Sequence, residues 1–171
     1  LFASQIGMAL GQIAQSALGS TDVGIPLADA STTALVARNI EDFADELEIP
    51  FEEVLQFIAL RECAHHRLFA GVPWLAGDLT RAVERYAQHI AIDSEAVAEA
   101  ATRLDPANPE FNEDSLNEQI FAAAPTPEQR AALERVENLL ALIEGWVDVV
   151  TSQAARPYLP HLEQLRELMR R

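Results

Sequence analysis

At 171 residues the chain has room for one domain with a real core, since folding at this size buries roughly 70% of the unfolded surface. Its 49% apolar and 23% charged residues are ordinary globular proportions and exclude a disordered or low-complexity tail. Twelve basic against 27 acidic residues leave a net charge of −15, which excludes a nucleic-acid backbone or an anionic membrane as partner. The single cysteine, Cys63, closes no internal disulfide and builds no Cys-rich zinc site. All twelve basic residues are Arg, which reads as coding bias.

Residues 1–21 carry no charge, and Gly7 and Gly11 form a small-residue pair at helical spacing. Ser4, Gln5, Gln12, Gln15 and Ser16 would each need a partner in hydrocarbon, so the segment predicts a buried helix with a close contact at the glycines, not a membrane span. It lacks the basic start and cleavage site of a signal peptide, and the expected location is cytoplasmic. The start at Leu1 and the stop at Arg171, inside a helical pattern, suggest part of a longer protein.

Residues 23–27 and 32–37 are short β-prone runs and predict a small hairpin. Asn39 is the expected cap of a helix ending near Glu48. Pro50, followed by Glu52 and Glu53, opens a helix to Phe69 that stops at Gly71. Pro73 begins the next, to about Ile90, and Asp93 caps another to Arg103. Residues 105–109 form a loop by composition, and Ser115 with Glu118 has capping-box spacing for a short helix. Thr126-Pro127-Glu128-Gln129 repeats the start signal for a helix to about Gln153. Pro157 and Pro160 precede a last helix from Leu162. The expected fold is a single, mainly α domain over residues 1–171 with a small β-hairpin near its start.

The helix from Pro50 to Gly71 is the informative one. Phe51, Leu55, Ile58, Glu62, His65 and Phe69 fall on one face, and Val54, Ile58, Arg61, His65 and Leu68 form the adjoining stripe. Arg61, Glu62 and His65 therefore point inward, where charges must be paired, neutralised or bound to something. Glu52, Glu53, Gln56 and Arg67 lie elsewhere on the helix. Residues 139–150 are apolar nearly all round, as in a buried helix, and their only charges are Glu144 and Asp148, one turn apart. Glu137 extends that face upstream. Trp74 and Trp146 read as core anchors and Cys63 as an inert core thiol; His66, His89 and His161 read as surface or capping residues.

The stretch Arg61-Glu62-Cys63-Ala64-His65 has the spacing of HExxH, in which two His one turn apart reach one metal and the Glu activates its water. Here the first position is Arg. This motif, with Leu18-Gly19 before Asp22, Asn39-Ile40, Val72-Pro73-Trp74-Leu75 and Leu142-Ile143-Glu144-Gly145-Trp146, resembles a bacterial family of zincin-like hydrolases (zinicin-2), in a branch with a degenerate HExxH. The resemblance covers most of the chain and implies a zincin-like helical domain. Glu144-Gly145-Trp146-Val147-Asp148 also resembles the ExxxD helix of glutamate-type zincins. That likeness implies Glu62 as catalytic base, His65 and Glu144 as metal ligands, and Asp148 as the carboxylate that holds the first ligand. With Arg61 in the first position, the same likeness implies an ion pair between Arg61 and Asp148 or Glu144.

Three readings follow. In the leading one the scaffold is metal-free, possesses no cofactor, and keeps a binding cleft for a peptide or small molecule. In the second it is an active metallo-hydrolase with a non-standard ligand set, and zinc is the cofactor. In the third the charged cluster is a buried ion-pair network that only fixes helix packing. No reading calls for nucleic acid or membrane, and homo-oligomerisation stays open.

Overall fold

The computed structural model describes residues 2–21, 24–26, 32–88 and 126–170. These residues form α1 (Phe2–Ser16), α2 (Ala37–Leu47), α3 (Phe51–Gly71), α4 (Pro73–Gln88), α5 (Pro127–Ala155) and α6 (Leu162–Leu168). The mainly helical expectation holds. The elements expected between Asp93 and Ser115 lie outside the described residues.

The hairpin does not form among the described residues. Leu35 makes an isolated antiparallel bridge to Gly19 instead, with Ser20 N donating to Ala34 O at 3.0 Å and Val36 N to Leu18 O at 2.9 Å. Residues 32–36 are exposed, and a two-stranded ribbon with no apolar face to bury is marginal in water. Residues 22–23 and 27–31 lie outside the described set.

The chain divides into two compact units. One comprises residues 1–79 and 138–171, and the other residues 80–137. The first unit's core gathers Leu18, Ile40 and Ala44 of α2, Val54, Phe57 and Ile58 of α3, and Leu162 and Leu165 of α6. These positions repeat at helical spacing on each element, so each helix turns one stripe inward. Glu48 adopts the left-handed conformation that closes α2, its N–H donating to Ala44 O and Asp45 O, and Pro50 then opens α3. In the second unit α5 begins with a capping box: Gln129 N donates to Thr126 Oγ1 at 3.1 Å, and Thr126 N to Gln129 Oε1 at 2.8 Å.

Three expectations about burial are corrected. Among the described residues nothing lies within 4 Å of where a Cβ on Gly7 or Gly11 of α1 would stand, and Met8, Leu10 and Ile13 are exposed, so the absence of charge in this helix does not reflect burial among these residues. On α5, Leu139, Ile143 and Val147 are buried, but Leu142, Trp146 and Val149 on another face are not. Trp74 and Cys63 are exposed as well. An apolar residue on a helix says that a face is available for packing; it does not say that a partner covers it. Asn39 lies inside α2, whose N-cap is Val36. Its Nδ2 donates to Ala14 O at 3.0 Å and Ala17 O at 2.7 Å, so it closes the carbonyl end of α1 and does not cap its own helix. Among the described residues no helix is long and apolar enough to cross a membrane.

Candidate functional site

Consecutive residues of α3 diverge by about 100° around the helix axis, and this splits the polar motif in two. Arg61, Glu62 and His65 are all buried, at 7%, 3% and 2% exposure. Arg61 and His65, four residues apart, turn toward α5. Glu62 turns toward the Leu18–Thr21 segment.

On the first face, Arg61 Nη2 pairs with Glu144 Oε2, and His65 Nε2 faces Glu144 Oε1 at 2.9 Å. His65 Nδ1 donates to the Arg61 carbonyl at 3.0 Å, which fixes the ring so that Nε2 points across to α5. The Phe57 ring lies 5.9 Å from the Arg61 guanidinium carbon, and Phe69 stacks on His65 with centroids 6.5 Å apart. Burial pushes the Glu144 carboxyl up, but the hydrogen bond to His65 and the adjacent Arg61 guanidinium outweigh it and hold the group below the ordinary glutamate range.

On the second face, Glu62 accepts from Ser20 Oγ at 2.8 Å, from Thr21 Oγ1 at 2.8 Å and from Thr21 N at 3.1 Å. Three of the roughly four acceptor sites of a carboxylate are thus occupied by protein. Ser20 Oγ in turn accepts from Ala34 N at 3.2 Å. Gly19 leaves room for this arrangement, because a Cβ there would stand 2.3 Å from Glu62 Oε1. The carboxylate is an anchor for the segment between α1 and α2.

Asp148 does not meet Arg61. Arg166 of α6 holds it with a two-pronged contact, Nε to Oδ1 and Nη2 to Oδ2, both 2.9 Å, and Arg170 Nη2 adds a bond at 2.7 Å. The Arg166 hydrogen bonds overcome burial, and with Arg170 they hold the Asp148 carboxyl far below the ordinary aspartate range. The same bond raises Arg166. Arg61 falls to the nearer carboxylate, Glu144, because Asp148 already has two guanidinium partners from the other side. A cleft of about 410 Å³ lies over these groups, lined by Arg61, Glu144, Asp148, Arg166 and Arg170.

Sequence reasoning missed Arg166 and Arg170. Their i, i+4 spacing, from α6 into the turn that follows it, was the available signal. It also missed Glu53, which is buried and accepts from His161 N at 2.6 Å while facing His161 Nδ1 at 2.9 Å. His161 stands at the N-cap position of α6 but makes no side-chain cap bond, so of the two roles expected of it, surface or capping, it does not fill the second. His89 lies outside the described residues.

A zinc site needs three protein donors with lone pairs. His65 and Glu144 supply two, and the third neighbour, Arg61, has none to give. Among the described residues no group of three His, Cys, Asp or Glu side chains converges. The described residues at this position do not fit zinc. The family model described as a zincin-like metallopeptidase matches residues 1–171. No curated protein and no solved structure matches the chain.

Proposed function

From the premise that the chain belongs to the zincin-like metallopeptidase family, we propose that Arg61 is a fixed cation in the slot of a lost metal ligand, on a scaffold that binds without metal-dependent hydrolysis. Membership supports a hydrolase of the zincin type as the ancestral activity, with zinc as its ordinary cofactor. The observation that carries the finer reading is the Arg61–Glu144–His65 bridge, in which the guanidinium neutralises the carboxylate that a metal would otherwise neutralise.

Glu62 supports the same reading. In the HExxH arrangement this carboxylate activates the metal-bound water, whereas here it is engaged by Ser20 and Thr21 on the other side of α3. The cleft over Arg61 and Asp148 supports a binding scaffold over a closed ion-pair network. Its ligand is a peptide or small molecule with hydrogen-bond acceptors for the guanidinium groups that line it.

One observation favours the runner-up, an active metallo-hydrolase with a non-standard ligand set. His65 Nε2 and Glu144 Oε1 converge, and Nδ1 is held by a carbonyl as in many metal-ligating histidines. Metal analysis of the purified protein and calorimetric titration with zinc decide between the two. The expected result is no stoichiometric zinc in the wild type and a clear gain of zinc affinity in Arg61→His. Stoichiometric zinc in the wild type, with peptide hydrolysis that a chelator abolishes, overturns the proposal.

A further inference from the structure

Cys63 and Trp146, two residues that the sequence pattern places in the core and the structure leaves exposed, line one groove between α3 and α5. Its volume of about 390 Å³ is within the range of small-molecule sites. Leu60, Cys63 and Arg67 line it from α3, and Trp146, Val150 and Thr151 from α5. All six belong to the first compact unit, and none adjoins a segment outside the described residues. Cys63 and Arg67 stand one turn apart, so thiol and guanidinium share a face of α3. The Trp146 indole, 38% exposed, adds apolar surface together with Leu60 and Val150. Thr151 is the buried polar member of this lining, at 1% exposure. Its Oγ1 has no hydrogen-bond partner among the described residues, the Val147 carbonyl one turn back included. A buried hydroxyl is costly to leave unpaired, and an acceptor brought by a ligand would complete it.

The groove thus gathers a nucleophilic sulfur, a cation, apolar surface and an unfilled hydrogen bond. We infer that it is a site of thiol–disulfide exchange for an acidic disulfide of short-peptide size, of the glutathione type. A carboxylate of the ligand pairs with Arg67, a peptide carbonyl accepts from Thr151 Oγ1, and the chain between them lies on Trp146, which brings a ligand sulfur to Cys63. The Cys63 thiolate, its proton lost to water, attacks that sulfur. A bond forms between the two sulfurs, the ligand's own S–S bond breaks, and the departing half leaves as a thiolate with the electron pair. Cys63 is oxidised and the departing sulfur reduced. Cys63 is the chain's only cysteine, so the mixed disulfide stays until an external thiol removes it. The site lies beyond the function proposed above and does not draw on Arg61.

A single cysteine makes the mass of the modified chain an unambiguous readout. The rate with oxidised glutathione, an anion, is divided by the rate with cystamine, a cation, at physiological salt. Dividing that ratio for the folded protein by the ratio for the urea-unfolded chain cancels the intrinsic reactivity of the reagents and the ionisation of the thiol. A net charge of −15 favours the cation at long range, so a preference for the anion has to come from the groove. The quotient should exceed one, and Arg67→Gln, at an exposed position, should lower it about three- to fivefold. Thr151→Val keeps the shape of the side chain and should slow the reaction with oxidised glutathione by up to about tenfold, leaving that with cystamine unchanged. A quotient of one or less overturns the proposal, as does a quotient that Arg67→Gln does not move. Equal slowing of both reagents by Thr151→Val overturns the assignment of its hydroxyl to the ligand.

Discussion

Arg61 of α3 and Glu144 of α5 stand 83 residues apart in sequence and form one ion pair, with His65 sharing the second carboxylate oxygen. The Arg61 side chain is 9% exposed and that of Glu144 is 38%, so water screens one partner and not the other. Glu144→Gln removes the negative charge and leaves a buried guanidinium with a neutral neighbour. The loss falls below that of breaking a fully buried pair, and we expect roughly 1–3 kcal/mol in urea unfolding. Glu163→Gln, at an exposed carboxylate on Arg166, should stay within about 0.5 kcal/mol. Equal effects from the two would place the Arg61 pair in the class of ordinary surface contacts.

Glu62→Gln separates an anchoring carboxylate from a catalytic base. A base can be neutralised at little cost in stability, whereas this one accepts three hydrogen bonds in a buried setting. A Gln side chain offers one acceptor oxygen, and its NH2 must face either Ser20 Oγ or the two Thr21 donors, so at least one bond is reversed or lost. A fall of roughly 2–3 kcal/mol is expected, read as a lower thermal midpoint. Gly19→Ala should act on the same contact, since its Cβ would displace the Glu62 carboxylate, and should cost about 1–3 kcal/mol. An unchanged midpoint in both variants would remove the anchoring role.

The helices and their stripes were legible because apolar spacing and start signals act locally; Pro50, Pro73 and Thr126 stand at or beside the helix starts. The position of a polar group around a helix was legible only to within one face. Arg61, Glu62 and His65 belong to one inward region in the pattern, but 100° between neighbours is enough to send Glu62 to one partner and Arg61 to another. Choice of partner was not legible, because it depends on which helices meet. Asp148 lies one turn from Glu144, yet α6 and the turn that follows it bring Arg166 and Arg170 to it. Exposure of Trp146 and Cys63 was hidden for a related reason: no pattern within a segment reveals which of its apolar faces lacks a cover.

Glu53 shows how a residue placed by one rule can serve another. Its position in the first turn of α3 suits the helix dipole, but its carboxylate is buried and holds the backbone N–H and ring of His161 at the start of α6. It thus supplies from another helix the acceptor that α6's N-terminus lacks, His161 making no side-chain cap bond. Glu53→Ala should destabilise by roughly 1–2 kcal/mol, the range of a lost cap. Amide exchange should quicken across α6 while α5 keeps its protection. Uniform quickening would mean that the contact supports the whole unit and not α6 in particular.

The pair of Asp148 with Arg166 gives stability a pH dependence whose sign can be fixed. Hydrogen bonds from Arg166, set against burial and helped by Arg170, hold the folded carboxyl below its ordinary range, while an unfolded aspartate titrates near about 3.9. The unfolded chain therefore binds the proton first on acidification, and stability rises with pH through that window. The contribution is complete above about pH 5 and is lost as the solution is acidified through and below the unfolded value. Both side chains are more than four-fifths buried, so the pair should contribute roughly 1–3 kcal/mol at neutral pH. Asp148→Asn removes the titrating group and leaves a side chain of the same shape. The gap in unfolding free energy between wild type and Asp148→Asn should be widest near pH 7 and should narrow steadily below about pH 4. A gap that stays constant down to acid pH would show that the variant's loss comes from packing or hydrogen-bond geometry, and that ionisation of Asp148 contributes nothing to holding α6 against α5.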